Sequence, residues 1–178
     1  MMAKHTEYSF EETIVKQMAS NGWRESNYRS YDRVRCMLSE EVYEFILATQ
    51  PKEWEKLLAV QGSDAKESLL QRISSQVTDR GTIAVLRKGI EHLGCHFKLC
   101  YFPPSSGLNE DLGRLFESNI LTVVRQLRYS NNNENSIDMV LFVNGLPIFT
   151  TELKNPMTGQ DVLDAVLQYK NDRNPKGE

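Results

Sequence analysis

SIDMVLFVNGLPIFTTELK, residues Ser136 to Lys154, reads as two strands joined at Asn144-Gly145. The apolar run Met139-Val140-Leu141-Phe142-Val143 suits a strand buried on both faces, and Asn-Gly is a strong signal for a short hairpin turn. An acid, Asp138, stands near the start of the first strand, and Glu152-Leu153-Lys154 ends the second. Charges on core-like backbone are costly to desolvate unless they are paired or bound to a metal, so these three residues need an explanation beyond solubility.

The register decides what they can do. Side chains alternate along a strand, so Ile148, Thr150, Glu152 and Lys154 share one face. A strict two-residue loop at Asn144-Gly145 pairs Asp138 with Thr151 and turns it away from Glu152. A three-residue connection, with Gly145 as a left-handed bulge residue, pairs Asp138 with Thr150 and restores the common face. In the second register two carboxylates and a lysine converge, which is equipment for holding a hard divalent cation, orienting a water and hydrolysing a phosphodiester. The competing reading of the triplet is a surface hairpin with a solvated Glu/Lys pair.

An acid at a strand start followed by Glu-x-Lys on the next strand resembles the PD-(D/E)xK nuclease motif, with Ile137-Asp138 in place of Pro-Asp. The neighbouring words narrow the resemblance. VVRQLRYS at 123–130, SIDMVLFVNGLP at 136–147, ELKNPMTGQ at 152–160 and DAVLQYKNDRNP at 164–175 are similar to the amino-terminal nuclease domain of type I restriction enzyme R (HsdR) subunits, as are FEETIVKQMASNGW at 10–23 and TQPKEWEKL at 49–57. The resemblance implies an α/β fold of the restriction-endonuclease-like kind: a mixed central sheet of four or five strands flanked by helices. It also implies a Mg²⁺-dependent endonuclease acting on unmodified double-stranded DNA when an ATP-driven complex stalls. Asp138 and Glu152 would bind the metal, and Lys154 would assist the nucleophile. The partners it implies are DNA and, through a longer R subunit, the methyltransferase and specificity subunits.

Two further residues enter beside the motif. Phe10, Ile14, Val15 and Met18 recur at helical spacing, with Ser9 as a cap and Gly22 as a stop, so Glu11 falls on the inward stripe while Glu12 points outward. Glu11 either favours the positive end of the helix dipole or, as the resemblance implies, faces the metal site. Beyond Pro156, Thr158 caps a helix carrying Gln168. The family's Gln-x-x-x-Tyr element fits that glutamine, but its tyrosine position is Asp172, and Tyr169 lies beside Gln168 instead. Gln168 is thus either a supporting site residue or a plain helix-face glutamine.

Elsewhere the periods are helical from Leu38 to Gln76, with Pro51 in a first turn and Gly62-Ser63-Asp64 as a break, which reads as a helical insertion. Ile83, Leu86, Ile90 and Leu93 mark another helix, His96 to Phe102 a strand, Asn109 to Asn119 a capped helix, and Ile120 to Tyr129 a strand bearing Arg125 and Arg128. Residues 24–35 read as loop.

At 178 residues the chain is long enough for one domain with a substantial core. It carries no G-x-x-x-x-G-K-[ST], so the ATP-using motor of such enzymes is expected outside residues 1–178. Cys36, Cys95 and Cys100 form no C-x-x-C pair and His5, His92 and His96 are scattered, which argues against a disulfide framework or a zinc site. No apolar run reaches membrane-spanning length and no signal-peptide layout opens the chain, so a cytoplasmic setting is expected. The net charge is −3 and the basic excess is confined to residues 72–128, which predicts weak DNA binding and little cutting by this chain alone. A catalytically silent module that binds DNA or docks subunits is the competing reading.

Overall fold

In the computed structural model, residues 2–104 and 109–153 are described, together with positions 163, 166, 167 and 170. The chain runs through helix α1 (Met2–Ser20), strand β1 (Arg24–Ser26), helices α2 (Ser39–Thr49), α3 (Pro51–Gln61), α4 (Ala65–Arg80) and α5 (Thr82–Lys88), and strands β2 (Ile90–His92) and β3 (Cys95–Phe97). Helix α6 (Glu110–Glu117) and strands β4 (Leu121–Arg128), β5 (Ser136–Val143) and β6 (Leu146–Thr151) follow. The main sheet has the order β1-β4-β5-β6, with β1 parallel to β4 and the other neighbours antiparallel. β2 and β3 pair separately. The architecture is mixed α/β, a sheet flanked by helices, compatible with a restriction-endonuclease-like fold.

Each face of the main sheet is covered by different chain. On one, Val15 of α1 buries itself against Val123 and Met139, with Ile14, Met18 and Leu141 packed around them. On the other, Leu38, Val124, Leu127, Val140 and Phe142 form a second cluster, with Tyr31 set edge-on to Phe142 at 6.1 Å. Burying each such side chain contributes roughly 1.5–3 kcal/mol, so both coverings matter to the sheet.

The helices after β1 build a third core, in which Phe45, Ile46, Leu57, Ile73 and Phe97 are fully buried together with Leu146 at the start of β6. The helical region therefore extends beyond Gln76 through α5, and its shared core with Leu146 places it under the turn of the β5–β6 hairpin.

Several local expectations change. Ser9 is no cap, because α1 continues back to Met2 and the Ser9 carbonyl accepts from Thr13 Oγ1 at 2.8 Å inside the helix. Phe10 is 54% exposed despite its spacing. The helix over Ile83–Leu93 stops at Lys88, since Gly89 adopts φ +69° and its backbone comes so close to Phe97 that a Cβ would meet the Phe97 carbonyl at 2.4 Å. Ile90 then pairs with Phe97, and the strand expected over His96–Phe102 is the short Cys95–Phe97. Within 24–35, Arg24–Ser26 pairs with Thr122–Val124 as β1. Pro51 opens α3 as its spacing predicts, and the Asn109 side chain caps α6 by accepting from Leu112 N at 3.0 Å. The segment expected to form a helix after Pro156 lies largely outside the described residues, as do Lys154, Gln168 and Tyr169.

Candidate functional site

Asn144 at φ +51° and Gly145 at φ +80° make the two-residue turn that closes Val143 against Leu146. Two left-handed residues in succession are the mark of a type I′ turn, whose twist matches the flanking strands. The three-residue connection is therefore not formed. The register shifts instead within β6: Phe142 faces Pro147 while Leu141 faces Phe149, leaving Ile148 as the extra residue of a bulge. Beyond it the ladder runs Val140 to Thr150 and Met139 to Thr151, its last pair. Asp138 therefore pairs with neither Thr150 nor Thr151, which stand opposite Val140 and Met139.

The turn is held from outside. Leu38 N donates to the Gly145 carbonyl at 2.8 Å, and a Cβ on Gly145 would lie 2.5 Å from the Leu38 carbonyl. Asn144 is 1% exposed. Its Oδ1 accepts from Ile120 N at 2.7 Å, and its Nδ2 donates to the Leu99 carbonyl and to Asn119 Oδ1, each at 2.9 Å.

At the other end of the strands the alternation breaks. Val124 and Leu127, three apart on β4, belong to one cluster, and Ile137 and Val140, three apart on β5, pack with the same cluster. Strict alternation would put the members of each pair on opposite faces. The interruption falls at Gln126, φ +48°, and at Asp138 across the ladder from it, between the pairs Arg125–Met139 and Leu127–Ile137. It brings both side chains to the α1 side. Gln126 Nε2 donates to Glu11 Oε1 at 2.8 Å and to Asp138 Oδ1 at 3.3 Å, and Gln126 Oε1 accepts from Ser136 Oγ at 3.0 Å. Asp138 Oδ2 accepts from Leu153 N at 2.7 Å, which ties the residue between Glu152 and Lys154 to the acid of β5.

Glu11 is 5% exposed, on the inward face as its spacing predicts, while Glu12 pairs with Lys16 at 2.8 Å on the outer face. Because α1 starts at Met2, Glu11 sits about 2.5 turns into the helix, beyond the reach of the helix terminus. The dipole explanation fails, and the contact with Gln126 accounts for its position. Two carboxylates thus meet over one amide nitrogen. The 3.3 Å contact to Asp138 Oδ1 is the weaker of the two, so that oxygen keeps acceptor capacity for another ligand. Neighbouring Arg125 is held by Glu25 at 2.8 Å and lies 5.5 Å from the centre of the Tyr8 ring.

Among the described residues no group of three or more His, Cys, Asp or Glu side chains is gathered to hold a metal ion. The chemistry of Asp138 and Glu152 nevertheless suits Mg²⁺, which prefers hard oxygen ligands, retains several waters and needs only one or two protein carboxylates. His92 Nε2 meets Ser68 Oγ at 2.7 Å, with burial and then Arg72 lowering its pKa, and His96 Nδ1 lies 3.4 Å from Glu91. The three cysteines are free, and burial raises the Cys95 and Cys100 thiols above their ordinary value, away from reactive thiolate.

Sequence reading missed Gln126 and Ser136. The available signal was register: once Val123–Val124 is paired with Val140–Leu141, Gln126 falls opposite Asp138. Its left-handed backbone had no signature, since glutamine is not a residue that favours positive φ.

The chain matches the family described as type I restriction enzyme R protein N terminus over residues 4–178. No curated protein and no solved structure matches it.

Proposed function

Because the chain belongs to the family of type I restriction enzyme R protein N termini, we propose that it is the endonuclease module of an R subunit, hydrolysing phosphodiester bonds of unmodified duplex DNA when the ATP-driven complex stalls. One observation carries this reading. Asp138 Oδ2 accepts from Leu153 N at 2.7 Å, which draws the acid of β5 to the backbone that follows Glu152.

In this reading Asp138 and Glu152 hold Mg²⁺, and Lys154 orients the attacking water or meets developing negative charge. Bound Mg²⁺ supplies charge neutralisation at the phosphate and a more acidic water. Glu11 and Gln126 position Asp138 rather than touching substrate, and Gln168 supports the site. ATP serves motor domains outside residues 1–178, and the DNA sequence is read by the specificity subunit, with the methyltransferase subunits completing a cytoplasmic complex. A net charge of −3 leaves few phosphate contacts, so the motor must deliver the duplex, and residues 1–178 alone cut poorly.

The test is DNA cleavage by the complete enzyme carrying Asp138→Ala. Loss of cutting with ATP-driven translocation retained is the expected result. Undiminished cutting would refute the site and favour a silent module that binds DNA or docks subunits.

A further inference from the structure

Away from Asp138 and Glu152, a cleft of about 530 Å³ opens between α4 and the β2–β3 hairpin. Four cations line it: Arg72, Arg80, Lys88 and Lys98. The carboxylate on its wall is Glu91, set beside His96. Among the described residues none of the four cations forms an ion pair, whereas Arg24, Arg35, Arg114, Arg125 and Arg128 are each matched with an acid. In a chain with net charge −3, this concentration of unmatched positive charge is not the overall composition showing through.

The cations are also ordered. Arg72, Gln76 and Arg80 follow one another at four-residue spacing, so they line one face of α4 over about 12 Å. Arg72 Nε donates to the Glu91 carbonyl at 3.1 Å, and Arg80 Nη2 donates to the Gly89 carbonyl at 2.8 Å. Each guanidinium is fixed by a neutral backbone acceptor and keeps its charge for another partner. Lys98 Nζ lies 5.6 Å from the centre of the Tyr101 ring on the same cleft wall.

We propose that this cleft binds the phosphate chain of a nucleic acid strand, as a contact separate from the candidate nuclease site. A single phosphate calls for donors that converge on one point. Donors strung along a helix face suit successive phosphates, and guanidinium forks suit phosphate oxygens. A nucleoside triphosphate shares this chemistry and is the other source to be distinguished. The cleft is lined from α4, α5, β2, β3 and the chain beside them, and Glu11, Gln126, Asp138 and Glu152 are not among its lining residues.

The experiment is fluorescence anisotropy of labelled single-stranded and duplex oligonucleotides with residues 1–178, without Mg²⁺, across about 50–200 mM salt. The double variant Lys88→Gln/Lys98→Gln removes two exposed charges that hold no hydrogen bond of the fold. It should weaken binding and reduce the slope of log affinity against log salt by about 1.4 on a single strand or about 1.8 on duplex. Lys16→Gln/Lys56→Gln, which removes lysines already paired with Glu12 and Glu53, should leave the slope as in the parent. ATP matched in phosphate charge should not displace the oligonucleotide. An unchanged slope in the Lys88/Lys98 variant, a parent that binds no oligonucleotide, or full displacement by ATP would each overturn the proposal. Since the readout is binding without metal, it succeeds or fails independently of the nuclease assignment.

Discussion

At the turn end of the β5–β6 hairpin, the Asn144 side chain uses its oxygen and its nitrogen on three protein partners and Gly145 lies against Leu38. At the open end, one amide nitrogen of Gln126 serves both Glu11 and Asp138, and the backbone of Gln126 is left-handed. The two ends are joined by the same strands, yet one is fully satisfied and the other gathers like charges. The contrast teaches how a site of repelling carboxylates can persist: the closed end fixes the register, and the open end inherits its geometry.

The comparison breaks most visibly in activity. Asp138→Ala, Glu152→Ala or Lys154→Ala should each lower cleavage by the complete enzyme at least about 10²-fold. For Asp138→Ala, urea denaturation of the chain should show a loss of only about 1 kcal/mol, because it removes the hydrogen bond to Leu153 N and the longer one from Gln126 but also relieves the repulsion with Glu11. At the closed end the order reverses. Gly145→Ala places a Cβ 2.5 Å from the Leu38 carbonyl at φ +80° and should cost about 2–5 kcal/mol in the same denaturation. Asn144→Gly keeps the turn but leaves Ile120 N and the Leu99 carbonyl without their side-chain partner, at about 2–4 kcal/mol. Comparable stability losses from Asp138→Ala and Asn144→Gly would erase the distinction.

Gln126→Leu joins the two regimes. It removes the donor to Glu11, which is 5% exposed, and should cost about 1–3 kcal/mol while reducing cleavage through misplacement of Asp138. Full cleavage by that variant would show that the amide only fills space.

The smallest effect sharpens the closed end. Burial raises the Glu41 carboxyl above its ordinary value, opposed by the Thr122 hydroxyl and Arg24 and reinforced by Glu44. A raised folded pKa contributes stability present below the ordinary value and lost as pH rises through the folded one. Glu41→Gln keeps an acceptor for Thr122 Oγ1 and has no charge to bury. Its urea midpoint should exceed the parent's near neutral pH, with the difference shrinking in acid. A pH-independent difference would contradict the assignment.

Much of this architecture was legible where local chemistry agrees with tertiary packing. Pro51, Asn109, the β4 run and Asn144-Gly145 carry their structure in their own stereochemistry, and the apolar stripe of α1 placed Glu11 inward. The misses share a cause. Ile148 has no residue signature for a bulge; the bulge appears because the turn is fixed beneath Leu38 while Met139 and Thr151 pair farther on. Ile90 has the spacing of a helix but is captured by Phe97 at the close approach of Gly89. β1 has only three residues and owes its extended form to its partner β4. Around the candidate site, the inward place of Glu11 was readable, while Gln126 depended on a cross-strand register that one strand alone does not contain.

The central claim is that the open end of the hairpin holds a divalent cation between Asp138 and Glu152. Its most direct test is Mn²⁺ binding to the chain in the presence of a short DNA duplex, followed by the loss of the free-ion paramagnetic resonance signal in parent, Asp138→Asn, Glu152→Gln and Glu25→Gln proteins. The account predicts saturable binding in the parent and in Glu25→Gln, whose carboxylate pairs with Arg125, and loss of that binding in the other two. Binding unaltered by Asp138→Asn and Glu152→Gln, or no saturable binding in the parent, would contradict it.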